Sequence, residues 1–363
     1  MNTSEGRVPL AKSARGDTAG PGDPQGATTP GASGPRKERP SRHASARPGG
    51  RLGARLDLRN LSLLGVLAAL VVVGALTEPE QFLSVQNLQL VLTQASVIGV
   101  VTVGVTFVII GGGIDLSVGA MVALATVWAT TLATQEYGAA GILFCALAVG
   151  LACGLVNGLL VSFGSMVPFI ATLAMLASAR GLALQISEGR TQIVTVEPVL
   201  ELGQRDAYVL GVPPIVLVFA AVTAIGWLVL NRTTFGRRTV AVGGNPEAAR
   251  LAGIDVRRQR LMLYLLSGLC CGIAAFLLIV LTGSGQNTNG NLYELDAIAA
   301  AIIGGTLLSG GRGTITGSVL GVLVFTTITN LFALNNLETA VQQIAKGAII
   351  VAAVLIQRKG RTS

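Results

Sequence analysis

Three charged side chains interrupt long apolar runs in this sequence: Asp115, Arg180 and Lys346. Asp115 stands in Gly111-Gly112-Gly113-Ile114-Asp115-Leu116-Ser117-Val118-Gly119. The glycines end one apolar run, and the carboxylate precedes the next. In that place it can accept the orphan N–H groups of a new helix as an N-cap. Broken backbone at membrane depth is tolerated only inside protein or around a water-filled cavity. A capped tight turn and the lining of a gate or pathway are therefore both open for Asp115 and Ser117. Asn157 is a further polar candidate, inside a run of glycines. Arg180 and Lys346 each cost about 2.5–3.5 kcal/mol at the centre of a membrane helix, so each needs a partner, a cavity or a route to the surface. Both fall in the outward half of their runs, so snorkelling, a structural role and a pathway role all stay open. Asp115 is the one acid read between runs at membrane depth. An ion-coupled carrier normally uses several.

Catalytic chemistry has little to stand on. The single histidine, His43, lies in a polar N-terminal stretch, which leaves neither a Ser-His-Asp arrangement nor a metal site. Cys145, Cys153, Cys270 and Cys271 sit in apolar runs without metal-site or redox spacing and read as packing residues. Of the lysines, only Lys12 precedes Ser or Thr, and it lacks the glycines of a phosphate-binding loop.

The elements that must position these groups follow from composition. Hydrophobic residues make up 51% of the 363, and charged residues only 12%. That is about half the charge of a soluble domain. Aromatics are 4% while Gly totals 47, a balance that suits closely packed apolar helices. The net charge of +8 is uneven: residues 1–60 carry 11 basic and 5 acidic side chains, the remainder 15 and 13. The basic character thus belongs mainly to a tail and does not argue for nucleic-acid binding. Residues 1–59 are basic and rich in Gly, Pro and Ala, and they read as a disordered cytoplasmic tail.

A bilayer core of about 30 Å needs roughly 20 helical residues. Apolar runs near that length fall at 61–77, 88–110, 116–134, 139–163, 167–186, 213–231, 261–283, 296–309, 314–335 and 339–357. The eighth is short and ends in Gly, so a half-helix or re-entrant segment is open for it. Ten spans with both termini cytoplasmic leave only Arg190 and Arg205 as basic residues outside. Eleven basic residues fall inside, in 232–260, 310–313 and 358–363. This is a strong positive-inside bias. The expected fold is all-α and polytopic, with a membrane domain at 60–357 and a cytoplasmic C-terminal tail at 358–363. Small residues recur every fourth position at Gly150, Gly154 and Gly158, and again at Gly313, Gly317 and Gly321. Each stripe implies a close helix contact, within the chain or between subunits.

The inside loop at 232–260 is the most informative segment. In Asn245-Pro246-Glu247-Ala248-Ala249-Arg250-Leu251-Ala252-Gly253, Asn245 suits an N-cap and Pro246 the first helical position. Glu247 suits the positive end and Arg250 the last turn, and Gly253 closes the helix in the left-handed region. An isolated helix this short is marginal in water, so it must dock.

Three stretches now carry a resemblance. They are Thr106–Ile110 running into Gly113–Gly119, Gly154–Gly158 with Ser178–Gly181, and above all Gly243–Ile254. The chain resembles the permease subunit of bacterial ABC importers of the ribose/xylose-type monosaccharide family, over about residues 60–357. The resemblance implies a type II importer permease in the bacterial plasma membrane, paired as a homodimer around a central pathway within membrane lipid. It implies ABC ATPase subunits that bind and hydrolyse ATP with Mg, and an extracytoplasmic sugar-binding protein. This chain is then not an enzyme and binds no cofactor. Asn245 to Arg250 and Gly253 are expected to dock in the ATPase. Asp115, Ser117, Asn157, Arg180 and Lys346 are the expected pathway or gate candidates. Alternatives are an ABC permease for a nucleoside, a signal sugar or a branched-chain amino acid, or a secondary carrier.

Overall fold

A computed structural model describes residues 58–204 and 211–359. The tail at 1–57, Arg205 and residues 360–363 lie outside the described residues. From the N-terminus, α1 (Leu58–Thr77) and the short α2 (Pro79–Phe82) lead to α3 (Val85–Ile110). Then come α4 (Val118–Ala129), α5 (Leu132–Gln135), α6 (Gly138–Ser162) and α7 (Pro168–Ser187). β1 (Gln192–Ile193) and α8 (Glu197–Leu202) follow, and then α9 (Pro214–Arg232), α10 (Thr234–Gly244), α11 (Pro246–Leu251) and α12 (Val256–Thr282). The chain continues with β2 (Ser284–Gly285), α13 (Tyr293–Ile303), α14 (Ile315–Leu334) and α15 (Thr339–Lys359). β1 and β2 form one antiparallel pair.

Among the described residues, seven helices are long and apolar enough to cross a membrane: α1, α3, α6, α7, α9, α12 and α14. The other three expected runs also contain helices: α4 and the Thr339–Ala353 part of α15 are shorter apolar ones, and α13 is a short helix that carries two acids. The third run falls short of the expected 116–134. Its helix stops at Ala129, where the Thr130 hydroxyl turns back onto the Thr126 carbonyl at 2.9 Å. Thr131 then caps α5 by accepting from the Thr134 N–H at 3.3 Å. At 1.5 Å per residue, α4 reaches only about 18 Å, roughly half the bilayer core plus a turn. It is tolerated because α6, α7 and α12 sheath it.

The centre of the bundle is α3, whose apolar window is 83% buried, whereas that of peripheral α1 is 11% buried. Ser84 caps α3 by accepting from the Asn87 N–H at 3.1 Å. Its polar faces are tied across the core. Asn87 and Asn330 exchange amide hydrogen bonds of 3.1 and 2.7 Å, and Thr106 donates to the Ser318 hydroxyl at 2.9 Å.

Both glycine stripes are occupied within the chain. Gly150 lies against the backbone of Gly268 and Gly272 on α12, Gly154 against Tyr264 and Gly268, and Gly158 against Leu261. Gly313 meets Ile110 and Thr306, Gly317 meets Gly304, and Gly321 meets Ala300. Lipid supplies no hydrophobic drive between helices, so this backbone approach supplies the attraction. A Cβ at Gly150 would overlap the Gly268 carbonyl, while one at Gly181 meets nothing within 4 Å. Gly150→Ala is therefore expected to destabilise the purified protein by about 1–3 kcal/mol. Its thermal unfolding in detergent should fall clearly below that of Gly181→Ala.

Candidate functional site

The inside loop folds as its residue types dictate. The Asn245 side chain accepts from the Glu247 and Ala248 N–H groups at 3.1 and 3.0 Å. Pro246 takes the first helical position of α11. At the other end the Ile254 N–H reaches the Ala249 carbonyl and the Gly253 N–H the Arg250 carbonyl, both at 3.0 Å, with Gly253 at φ +81°. This is the Schellman closure, which needs a residue without a Cβ penalty in the left-handed region. Arg250 and Glu247 pair at 2.6 Å on the solvent side, and the carboxylate holds the guanidinium above its usual pKa. Ala249 is buried, whereas Leu251 is 77% exposed. α11 is thus pre-formed and presents an apolar residue among charges to the aqueous side.

Behind α11, three chain segments meet through backbone alone. They are Ile110–Gly112 at the end of α3, Gly243–Gly244 at the end of α10, and Gly310–Gly311 between α13 and α14. The Gly311 N–H donates to the Ile110 carbonyl at 2.8 Å. A Cβ on Gly243 would overlap that same carbonyl and lie 2.7 Å from the Gly311 nitrogen. A Cβ on Gly310 would lie 2.9 Å from the Gly112 Cα, and one on Gly311 2.7 Å from the Gly244 Cα. The residue next to this junction is Asn245, the cap of α11. The loop is therefore joined directly to both glycine-broken helices of the core.

The candidate pathway residues fall into three sets. In the first, Asp115 is fully buried. One carboxylate oxygen accepts from the Ser117 N–H at 3.1 Å and the Ser117 hydroxyl at 2.6 Å, the other from the Ser267 hydroxyl at 2.9 Å. Asn157 donates to the Ser117 hydroxyl at 2.8 Å and leaves its amide oxygen buried without a partner among the described residues. Asp115, Ser117 and Asn157 are thus one network. It pins the turn before α4 to α6 and α12.

Arg180 belongs to the second set. Its guanidinium donates to the Asn287 and Asn289 carbonyls at 2.6 and 2.9 Å, holding the loop after β2 against α7. The Asn289 amide continues to the Thr126 hydroxyl at 3.2 Å.

Lys346 belongs to the third set, where it pairs with Asp296 at 3.3 Å and lies 5.1 Å from the centre of the Phe325 ring. This corrects the reading of Asp115 as the one acid at membrane depth. Asp296 is 7% exposed, and Glu294, two residues before it, holds a carboxylate oxygen that is buried without a partner among the described residues. Sequence reasoning passed over Asp296 because it stood as the first residue of an apolar run. The signal was present: an acid and Lys346 in neighbouring runs are each other's cheapest partner.

The chain is similar to known proteins over most of its length. The family described as branched-chain amino acid transport system / permease component matches residues 87–354. The ribose import permease protein of Bacillus subtilis strain 168 is 39% identical over 300 residues, covering 81% of this chain and 91% of its own. The galactose/methyl galactoside import permease protein of Escherichia coli strain K12 is 35% identical over 310 residues, covering 80% and 91%. The xylose transport system permease protein of the same strain is 32% identical over 365 residues, covering 82% and 91%. No solved structure matches the chain.

Proposed function

Because the chain belongs to the family described as branched-chain amino acid transport system / permease component, we propose that it is the membrane-spanning permease subunit of an ATP-driven monosaccharide importer. It is a multi-pass plasma-membrane protein and not itself an ATPase; a separate subunit binds ATP with Mg and hydrolyses it. The observation that carries the reading is α11, a self-capped exposed helix whose cap adjoins the glycine junction of the core. Asn245, Pro246, Glu247, Ala248, Ala249, Arg250 and Gly253 form the surface that enters a cleft of the ATPase subunit. Closure of that cleft pushes on Gly243–Gly244 and, through the Ile110 and Gly311 backbone, on both broken helices. An extracytoplasmic binding protein delivers the solute, and two copies of this chain surround the pathway within membrane lipid.

The likeness to ribose, galactose and xylose permeases supports a neutral sugar as cargo. The family description supports a branched-chain amino acid as the rival. Titrating the partner binding protein with D-ribose, D-xylose, D-galactose and L-leucine separates them. The account expects a pentose or hexose to bind and leucine not to. Leucine binding alone would overturn the sugar assignment.

A further inference from the structure

Between α3, α14, α15 and the start of α13 lies a cavity of about 350 Å³. Its polar walls are Gln94, Asn291, Asp296, Thr326, Thr329 and Lys346, and Tyr293 and Phe325 add ring surface. The volume lies at the lower end of the roughly 300–1,000 Å³ range of small-molecule sites. All these residues belong to the outward halves of their elements, given the inside position of the arginine-rich loop. The cavity therefore opens on the side from which solute arrives.

Its hydrogen-bonding capacity is left unspent. Lys346 has three donors and uses one, on Asp296. Among the described residues, the half-buried Gln94 side chain has no hydrogen-bond partner, nor has the fully buried Thr326 hydroxyl, whereas Asn291 is exposed to solvent. Buried polar groups are normally satisfied, by protein, water or ligand. The one cation is matched by one carboxylate, so the wall as a whole is neutral. A neutral solute with many hydroxyls, each both donor and acceptor, matches this mixture of ammonium, carboxylate and amides. An anion would meet Asp296, and an apolar solute would leave every polar group unpaired.

Resting on the importer reading above, we propose that this cavity is the outward-side holding site for the monosaccharide, with Lys346, Asp296 and Gln94 as its hydroxyl-binding groups. The test uses the complete importer, with its ATPase subunits and binding protein, in proteoliposomes supplied with radiolabelled D-ribose, D-xylose or D-galactose. Sugar carried per ATP hydrolysed is measured for the unaltered chain, for Ile98→Trp, which fills the cavity, and for Gln94→Leu, which removes an amide at similar volume. The proposal expects Ile98→Trp to lower sugar per ATP by about tenfold and Gln94→Leu by about fivefold, with binding-protein-stimulated ATP hydrolysis retained. Should Ile98→Trp also abolish ATP hydrolysis, Gln94→Leu decides. Unchanged sugar per ATP in Gln94→Leu, or in an Ile98→Trp protein that still hydrolyses ATP, would mean that the cavity holds only water and would overturn the proposal. Failure of the unaltered importer to carry any sugar would instead refute the function itself.

Discussion

Glu247→Arg is expected to uncouple transport from ATP hydrolysis, lowering solute uptake by about tenfold or more while the protein still inserts in the membrane. The change acts three ways on α11. It breaks the 2.6 Å pair with Arg250 and sets two guanidinium groups one turn apart. It places a cation at the positive end of the helix, where Glu247 was favourable. It also reverses the charge that this exposed surface offers a partner, and like charges across an interface cost several kcal/mol. Asn245 and Gly253 still cap the helix, so α11 should persist and the loss should lie in docking. Glu247→Gln, which only neutralises, should retain a larger share of uptake. Uptake and ATP hydrolysis measured in the same vesicles check this, with the amount of inserted protein as reference. Normal uptake by Glu247→Arg would remove α11 from the coupling surface.

The second large effect is expected two residues before the cap of α11. Gly243→Ala places a methyl group onto the Ile110 carbonyl and 2.7 Å from the Gly311 nitrogen, where only backbone surrounds it. No flexible side chain can move aside, so the three segments must separate. Overpacking of this kind costs about 1–3 kcal/mol, here at the joint between the loop and both broken helices. Transport per ATP should fall by roughly tenfold. Gly244→Ala is the control, because a Cβ there meets nothing within 4 Å. A general intolerance of the loop to alanine would impair both variants. A joint that transmits motion through contact should be impaired by Gly243→Ala alone.

What the sequence reveals about this fold follows the range of the interactions involved. α11 is legible because its signals are local: Asn245, Pro246, Glu247, Arg250 and Gly253 each act within one or two turns, and all take the positions their types imply. The long spans are legible because run length and hydropathy are also local. The stop at Ala129 was less so. Its cause is a pair of threonine hydroxyls competing with the helix ladder inside an otherwise largely apolar run. Asp296 was hidden in an apolar run, and its partner Lys346 lies 50 residues on. The glycine junction is the extreme case. Gly112, Gly243 and Gly311 look like separate turns in sequence, and only packing shows that they share one point. Likewise the stripe from Gly150 to Gly158 announced a close contact without naming its partner, which is α12.

The central claim is that this chain moves its solute on energy supplied by a separate ATPase through α11. Sugar uptake into proteoliposomes holding the chain, its ATPase subunits and the loaded binding protein tests it most directly. The expected result is accumulation that requires ATP on the side bearing α11, stops when the ATPase subunits are omitted, and is unaffected by collapsing proton and sodium gradients. Uptake that continues without the ATPase and follows an ion gradient would contradict the account and make the chain a secondary carrier.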